Sequence, residues 1–175
     1  PAAGVTVFSI VVAAYRTKIN WTLANLLFFI GVMGWVVGGL GAVIDATISN
    51  NFVLHNTLWV PAHFHTYNAM GNVLFSLGFF YWFSVNFSNS RHSEKLSALK
   101  LFLLIVGGIG FLAAFYIGGA DSIPRRYSNY PAEFVHAKTL ALIGGVFASI
   151  YLIGILIFFV NITRRCVKIL FSQSA

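Results

Sequence analysis

The chain has 175 residues, 58% of them hydrophobic and 9% charged, where soluble domains carry about 25% charged residues. With a mean hydropathy of +0.83, this composition excludes a soluble globular domain and points to an integral membrane protein. The net charge of +7 would suit nucleic acid in a soluble chain. Here the basic residues flank apolar runs, so they read as orientation signals and lipid-headgroup contacts, and no nucleic-acid partner is expected.

In chain order, residues 1–15 form a first apolar run, ending at Arg16 and Lys18. A full crossing needs about 20 residues, so this run is read as a partial helix. The opening Pro1-Ala2-Ala3-Gly4 has no initiating Met and no basic stretch before the apolar run, as expected of a chain processed, truncated or split from a longer polypeptide. Full crossings follow at 21–46, 57–87, 96–119 and 135–160. Between the last two lies the polar loop Asp121-Ser122-Ile123-Pro124-Arg125-Arg126-Tyr127-Ser128-Asn129-Tyr130-Pro131. The expected architecture is an all-α integral membrane protein, a single membrane domain over 1–175 with four full transmembrane helices and one partial. Cys166 is the single cysteine, so no internal disulfide forms.

The basic residues divide unevenly between the two sides. Arg16, Lys18, Arg91, Lys95, Lys100, Arg164, Arg165 and Lys168 share one side, and only Arg125, Arg126 and Lys138 lie on the other. The positive-inside rule makes the first side cytoplasmic, with the C-terminus inside. The connection 47–56 and the Arg125-Arg126 loop then both face outward, beside His63 and His65 near the outer end of the third run.

His63-Phe64-His65 is the feature with the most chemical content. A polar group in hydrocarbon needs a partner, and intramembrane ionisable residues are functional by default. Residues at i and i+2 on a helix are about 200° apart, so these two imidazoles suit two metals on opposite sides of one helix. Neutral imidazole is an axial ligand of haem iron. Zinc would ordinarily add Cys or carboxylate ligands, and none stands near. Haem propionates need cations, and arginine pairs bidentately with carboxylates, which singles out Arg125 and Arg126. His55 and Asn56 either bind propionate, water or a divalent ion, or start the helix with Asn56 as N-cap. Asp45, Asp121, Glu133 and His136 are further outer-side candidates for a proton or water exit route, each taken singly better read as a solvated loop residue. His92, Glu94 and Lys95 read as an inner loop. Gly31, Gly34, Gly38, Gly39 and Gly41 crowd the second run, a spacing that favours close helix packing and also suits a flat ligand.

Together these residues resemble subunit I of the haem-copper terminal oxidases over nearly the full chain. Pro1-Ala2-Ala3-Gly4-Val5-Thr6-Val7-Phe8-Ser9 is similar to the end of the family's eighth helix, and the glycine-rich run to its ninth. His55 through Gly71 is similar to the tenth, and Pro124-Arg125-Arg126-Tyr127-Ser128-Asn129-Tyr130-Pro131 to the loop between the eleventh and twelfth. The resemblance implies the C-terminal part of a twelve-helix bundle. It implies that His63 is the proximal ligand of a high-spin haem, where oxygen binds opposite copper, and that His65 is one axial ligand of a low-spin haem, with Phe64 between the haems. Arg125 and Arg126 would hold propionates, with His55 and Asn56 nearby. Mitochondrial-type members have His-Asp where this chain has His55-Asn56, so a magnesium site loses that ligand here. His-Asn-Thr-x-Trp-Val-Pro resembles the prokaryotic B-type branch, whereas the Arg-Arg-Tyr-Ser-Asn-Tyr-Pro loop is closer to the mitochondrial type.

The resemblance further implies an enzyme of a prokaryotic plasma membrane that reduces oxygen to water, coupled to proton translocation. Its partners would be the N-terminal part of subunit I, a subunit II-like chain, membrane lipid, and a cytochrome, copper protein or quinol donor. The second low-spin ligand, the copper ligands and the proton-uptake residues belong to helices outside this sequence, so copper would be held by a partner chain or missing segment. Three alternatives stand beside this reading: a dihaem electron-transfer subunit, a relative of the nitric oxide reductases, and a non-catalytic membrane subunit or transporter whose histidines bond between helices.

Overall fold

A computed structural model describes residues 2–88 and 93–172. Arg91 and His92, assigned to the inner loop, lie outside them. Helices α1 (Ala2–Arg16), α2 (Leu23–Ala46) and α3 (Ile48–Leu54) come first. They are followed by α4 (Trp59–His65), a π-helical segment (Thr66–Val73), α5 (Leu74–Ser88), α6 (Glu94–Ala120) and α7 (Ala137–Ser172). Among the described residues there is no strand, only an isolated antiparallel bridge between Thr57 and Pro124. The fold is all-α. By length and composition, α2, α6 and Ala137–Val167 of α7 can each cross a membrane. Residues Trp59–Ser88 form one unbroken helical rod, and α1 is a shorter apolar helix.

Helix ends follow from local chemistry. Thr22 caps α2, its Oγ1 accepting from Asn25 N–H at 3.3 Å. At the other end of α2, Asn50 Nδ2 donates to Ile44 O (3.2 Å) and Asn51 Nδ2 to Asp45 O (2.9 Å). The last carbonyls of α2 are therefore satisfied by side chains of α3, a helix within the polar connection 47–56. Helix α7 runs on beyond the apolar stretch that ends near residue 160. Helical hydrogen bonding continues through its basic end, where hydropathy alone has no signal.

The rod Trp59–Ser88 is not a plain α-helix. Thr66 Oγ1 donates to Ala62 O (2.8 Å) and Asn68 Nδ2 to Phe64 O (3.0 Å). Side chains thus take carbonyls one turn back, which loosens the ordinary ladder where the π register begins. Ala69 O, inside the π segment, accepts from the buried Tyr151 hydroxyl of α7 at 2.6 Å.

The glycines of α2 are packing glycines. A methyl on Gly34 would lie 2.5 Å from the Met70 carbonyl carbon, and one on Gly41 2.8 Å from His63 Cβ. Gly38 sits against Tyr67 and Gly31 against Phe75. The backbones of α2 and the rod therefore approach closely along the whole contact. Gly119 of α6 meets the Trp59 backbone and Gly107 the backbone of Tyr151 in the same way. Leu27, Leu74, Leu77, Leu104 and Phe158 fill the core between these helices.

Candidate haem-ligand helix and its outer loop

Helix α4 carries both histidines, and they face different neighbours. His63 Cβ lies over Gly41 of α2. The His65 ring lies against α6, stacked on Phe115 (5.6 Å, 29°) and edge-on to Phe111 (5.5 Å, 73°). Phe64, between them, is 59% exposed. His65 Nδ1 is 2.8 Å from Pro61 O. A carbonyl only accepts, so Nδ1 carries a proton, and in the neutral imidazole the lone pair is on Nε2. This is the arrangement in which an imidazole ligates a metal through Nε2 while a backbone carbonyl fixes its tautomer. His63 Nδ1 is buried with no hydrogen-bond partner. Neither imidazole bonds to a neighbouring helix among the described residues.

Three groups that the sequence did not single out hold this helix. Thr66 Oγ1 lies 3.1 Å from the Tyr116 hydroxyl of α6. Trp59 packs edge-on to Tyr116 (5.0 Å, 78°) and donates from Nε1 to Gly41 O at 3.2 Å. The contacts pin α4 between α2 and α6. A legible signal was available in part, since Phe111 and Phe115 stand at i and i+4 in the fourth apolar run.

The connection 47–56 and the Arg125-Arg126 loop meet through backbone bonds. Leu58 N–H donates to Ile123 O and Arg125 N–H to Asn56 O, both at 2.9 Å. The Arg125-Arg126 loop is thus fastened just before the N-terminal end of α4, whose last turn carries the histidines. Arg126 adopts a positive φ of 72°, a conformation that costs a non-glycine residue about 1–2 kcal/mol. Arg125 is half-buried and its Nε has no partner, whereas Arg126 is exposed. His55 is exposed, with Nδ1 3.4 Å from Asn51 Nδ2. Asn56 does not cap α4. Thr57 Oγ1 accepts from Trp59 N–H instead, at 3.2 Å, and the N-cap position falls on Leu58, which has no side-chain acceptor to offer. Asp121, Glu133 and His136 are exposed, as solvated loop residues are. Asp45 is half-buried with an unpartnered Oδ1.

The donor set consists of single imidazoles. Among the described residues no group of three or more His, Cys, Asp or Glu converges to hold a metal ion. An apolar groove of about 1090 Å³ between α1 and α2 is lined by Phe8, Trp35, Gly39 and Tyr67, the last one turn beyond His63. Residues 2–163 match the family model described as Cytochrome C and Quinol oxidase polypeptide I.

The chain belongs to that family. It is 32% identical over 157 residues to the cytochrome c oxidase polypeptide 1 of Halobacterium salinarum, covering 87% of this chain and 25% of that protein. It is 29% identical over 136 residues to the cytochrome c oxidase subunit 1 of Thermus thermophilus, covering 75% of this chain and 24% of that one. The chain thus spans about a quarter of the length of these curated polypeptide I relatives. Its fold is similar to that of a heme-copper terminal oxidase dimer solved by cryo-EM, with a TM-score of 0.64 at 21% identity over 86% of this chain and 28% of that one. At the level of the polypeptide I family, the cofactors are haem and copper.

Proposed function

We propose that this chain supplies the haem-bearing helix of a membrane terminal oxidase. His63 serves as the proximal ligand of a high-spin haem and His65 as one axial ligand of a low-spin haem, with Phe64 between them. Bound haem supplies the chemistry, an electron relay at one iron and oxygen binding at the other. The chain's own task is to present two neutral imidazoles on different sides of one rod. Histidines two residues apart stand about 3 Å apart along a helix axis, so the rod fixes the spacing between the two ligands. The single observation that carries the reading is the His65 Nδ1 bond to Pro61 O, which leaves Nε2 as a free base. It also argues against histidines serving merely to bond one helix to the next.

Arg125 and Arg126, with His55 and Asn56, provide the cationic and polar outer rim for propionates. The unpartnered Arg125 Nε fits an anionic group arriving there. Copper, the second low-spin ligand and the proton-uptake groups come from the N-terminal part of subunit I. A subunit II-like chain delivers electrons from a cytochrome, copper protein or quinol. The assembly reduces oxygen to water, coupled to proton translocation, in a prokaryotic plasma membrane with this C-terminus cytoplasmic.

Difference spectra of the assembled complex test the assignment. His65→Ala removes the low-spin signal and His63→Ala abolishes the carbon-monoxide-reactive haem. Normal reduced-minus-oxidised and carbon-monoxide spectra in both variants would sink it. Metal analysis adds a second arm. Haem iron with copper is expected, and non-haem iron in place of copper would make the protein a nitric oxide reductase relative.

A further inference from the structure

Tyr151 is the single tyrosine of α7 and stands in its apolar length. A phenol hydroxyl in that setting needs an acceptor. Two adjacent glycines of α6 let it reach one. A methyl on Gly107 would lie 2.5 Å from Tyr151 N, and one on Gly108 would lie 2.5 Å from Met70 Sδ and 3.4 Å from the Tyr151 ring. Helix α7 therefore comes in close, and the buried Tyr151 hydroxyl crosses to the rod and donates to Ala69 O at 2.6 Å. Among the described residues this is the only hydrogen bond from another helix to a main-chain atom of Thr66–Val73. Near the close of that segment Leu74 N–H is given to Gly71 O, three residues back. Ala69 O, five residues back, is the carbonyl that Tyr151 meets.

The register of the segment sets a direction. A π-bulge holds one residue more than the α turns it replaces, and one residue is about 100° of helix rotation. Both ends of the rod are held by other contacts. Leu74, Leu77 and Tyr81 lie in the core at one end, and Trp59 and Thr66 tie α4 to α2 and α6 at the other. A return to α register would therefore leave about 100° to be absorbed between the two ends. Helix α4, seven residues long against fifteen in α5, is the end that turns, and it carries both imidazoles.

We propose that Tyr151 is a positioning residue for the two haem ligands: by taking Ala69 O, its hydroxyl holds the π register and with it the direction in which His63 and His65 present their imidazoles. The inference rests on the oxidase reading and adds to it a residue of α7, two helices further along the chain than the rod that bears the ligands.

The test uses the complete assembly in its native membrane, with Tyr151→Phe and, as a control, Tyr81→Phe. The control loses a hydroxyl on the same rod beyond the segment, where Tyr81 lies 3.4 Å from Ser97 Oγ. The g values of a low-spin ferric haem follow the orientation of its axial imidazole plane, which groups behind a ligand tune. Tyr151→Phe is expected to shift them by more than the parent line width. It is also expected to speed hydrogen exchange of the 66–74 amides about fivefold, as the loss of one net hydrogen bond does. Tyr81→Phe is expected to leave both at the parent values, and an equal g shift there overturns the proposal. Faster exchange with parental g values makes Tyr151 a structural contact only and overturns it, as does no change in either. Deletion of Ala69 removes the extra residue, so in the Tyr151→Phe background it is expected to return the parent's g values. If Tyr151→Phe alone does not assemble, the combined variant decides: haem signals regained uphold the register role, and their continued loss overturns it. A fivefold exchange effect in membranes whose parent shows no haem signal overturns the oxidase reading and keeps the hold on the register. Parental g values in a haem-bearing Tyr151→Phe assembly do the reverse.

Discussion

At His65 the ring atom that the fold fixes is Nδ1. The carbonyl of Pro61 one turn back holds the proton on Nδ1, so the helix itself selects the tautomer. Thr66 and Tyr116 hold the next residue. Thr66→Val loses the bonds to Ala62 O and Tyr116 together, whereas Tyr116→Phe loses only one. A typical net hydrogen bond contributes about 1 kcal/mol, and leaving a buried hydroxyl unmet costs about 1–3. Thr66→Val should therefore lower the melting temperature of the solubilised assembly more than Tyr116→Phe, and equal losses would contradict the arrangement. Lys100 poses the opposite case. It is fully buried, with Nζ unpartnered and set over the rings of Phe158 (4.9 Å) and Tyr81 (5.5 Å). Cation–π contacts return about 0.5–2 kcal/mol each, less than an unpaired buried charge costs. Lys100→Met keeps the volume and removes the charge, so it is expected to raise the melting temperature, and Lys100→Glu to lower it. A drop on Lys100→Met would mean that the ammonium has a partner in the assembly.

At the scale of elements, the seam between α2 and the rod is set by glycine. Gly34→Ala forces a methyl to within 2.5 Å of the Met70 backbone, and backbone cannot turn aside as a side chain can. A loss of about 1–3 kcal/mol is expected. Gly145→Ala on α7 meets nothing within 4 Å and should gain up to about 1 kcal/mol from helix propensity alone. Thermal melts of the two variants should move in opposite directions. The same elements show what hydropathy reads well and badly. Apolar length finds helices, so the three long apolar helices were visible. It has no access to hydrogen-bond register, so the π segment was invisible although Thr66 and Asn68, the residues that bring it about, stood in plain view. Helix α3 was hidden for a related reason. Its Asn50 and Asn51 look like loop residues until their amides are seen closing the end of α2.

For the whole molecule, charge order was enough to bring the histidine pair and the Arg125-Arg126 loop to one end, and the Arg125 N–H to Asn56 O bond joins them there. A cofactor that binds only the native assembly stabilises it by mass action. Haem depletion should therefore lower the melting temperature, and added haem should restore it in the parent but only incompletely in His63→Ala and His65→Ala. Full restoration in both variants would remove the imidazoles from the binding account.

The small bridge between Thr57 and Pro124 also has a consequence in time. The histidines leave the ribosome about 60 residues before the loop that fastens their helix at the outer end. At about 5–20 residues per second, that is an interval of roughly 3–12 s. During it, α4 has α2 beside it but neither α6 nor the arginine loop, so the side that receives His65 stands open. Until α6 is made, the His65 ring has neither Phe111 nor Phe115 beside it, and the bridge can form only after both have been added to the chain.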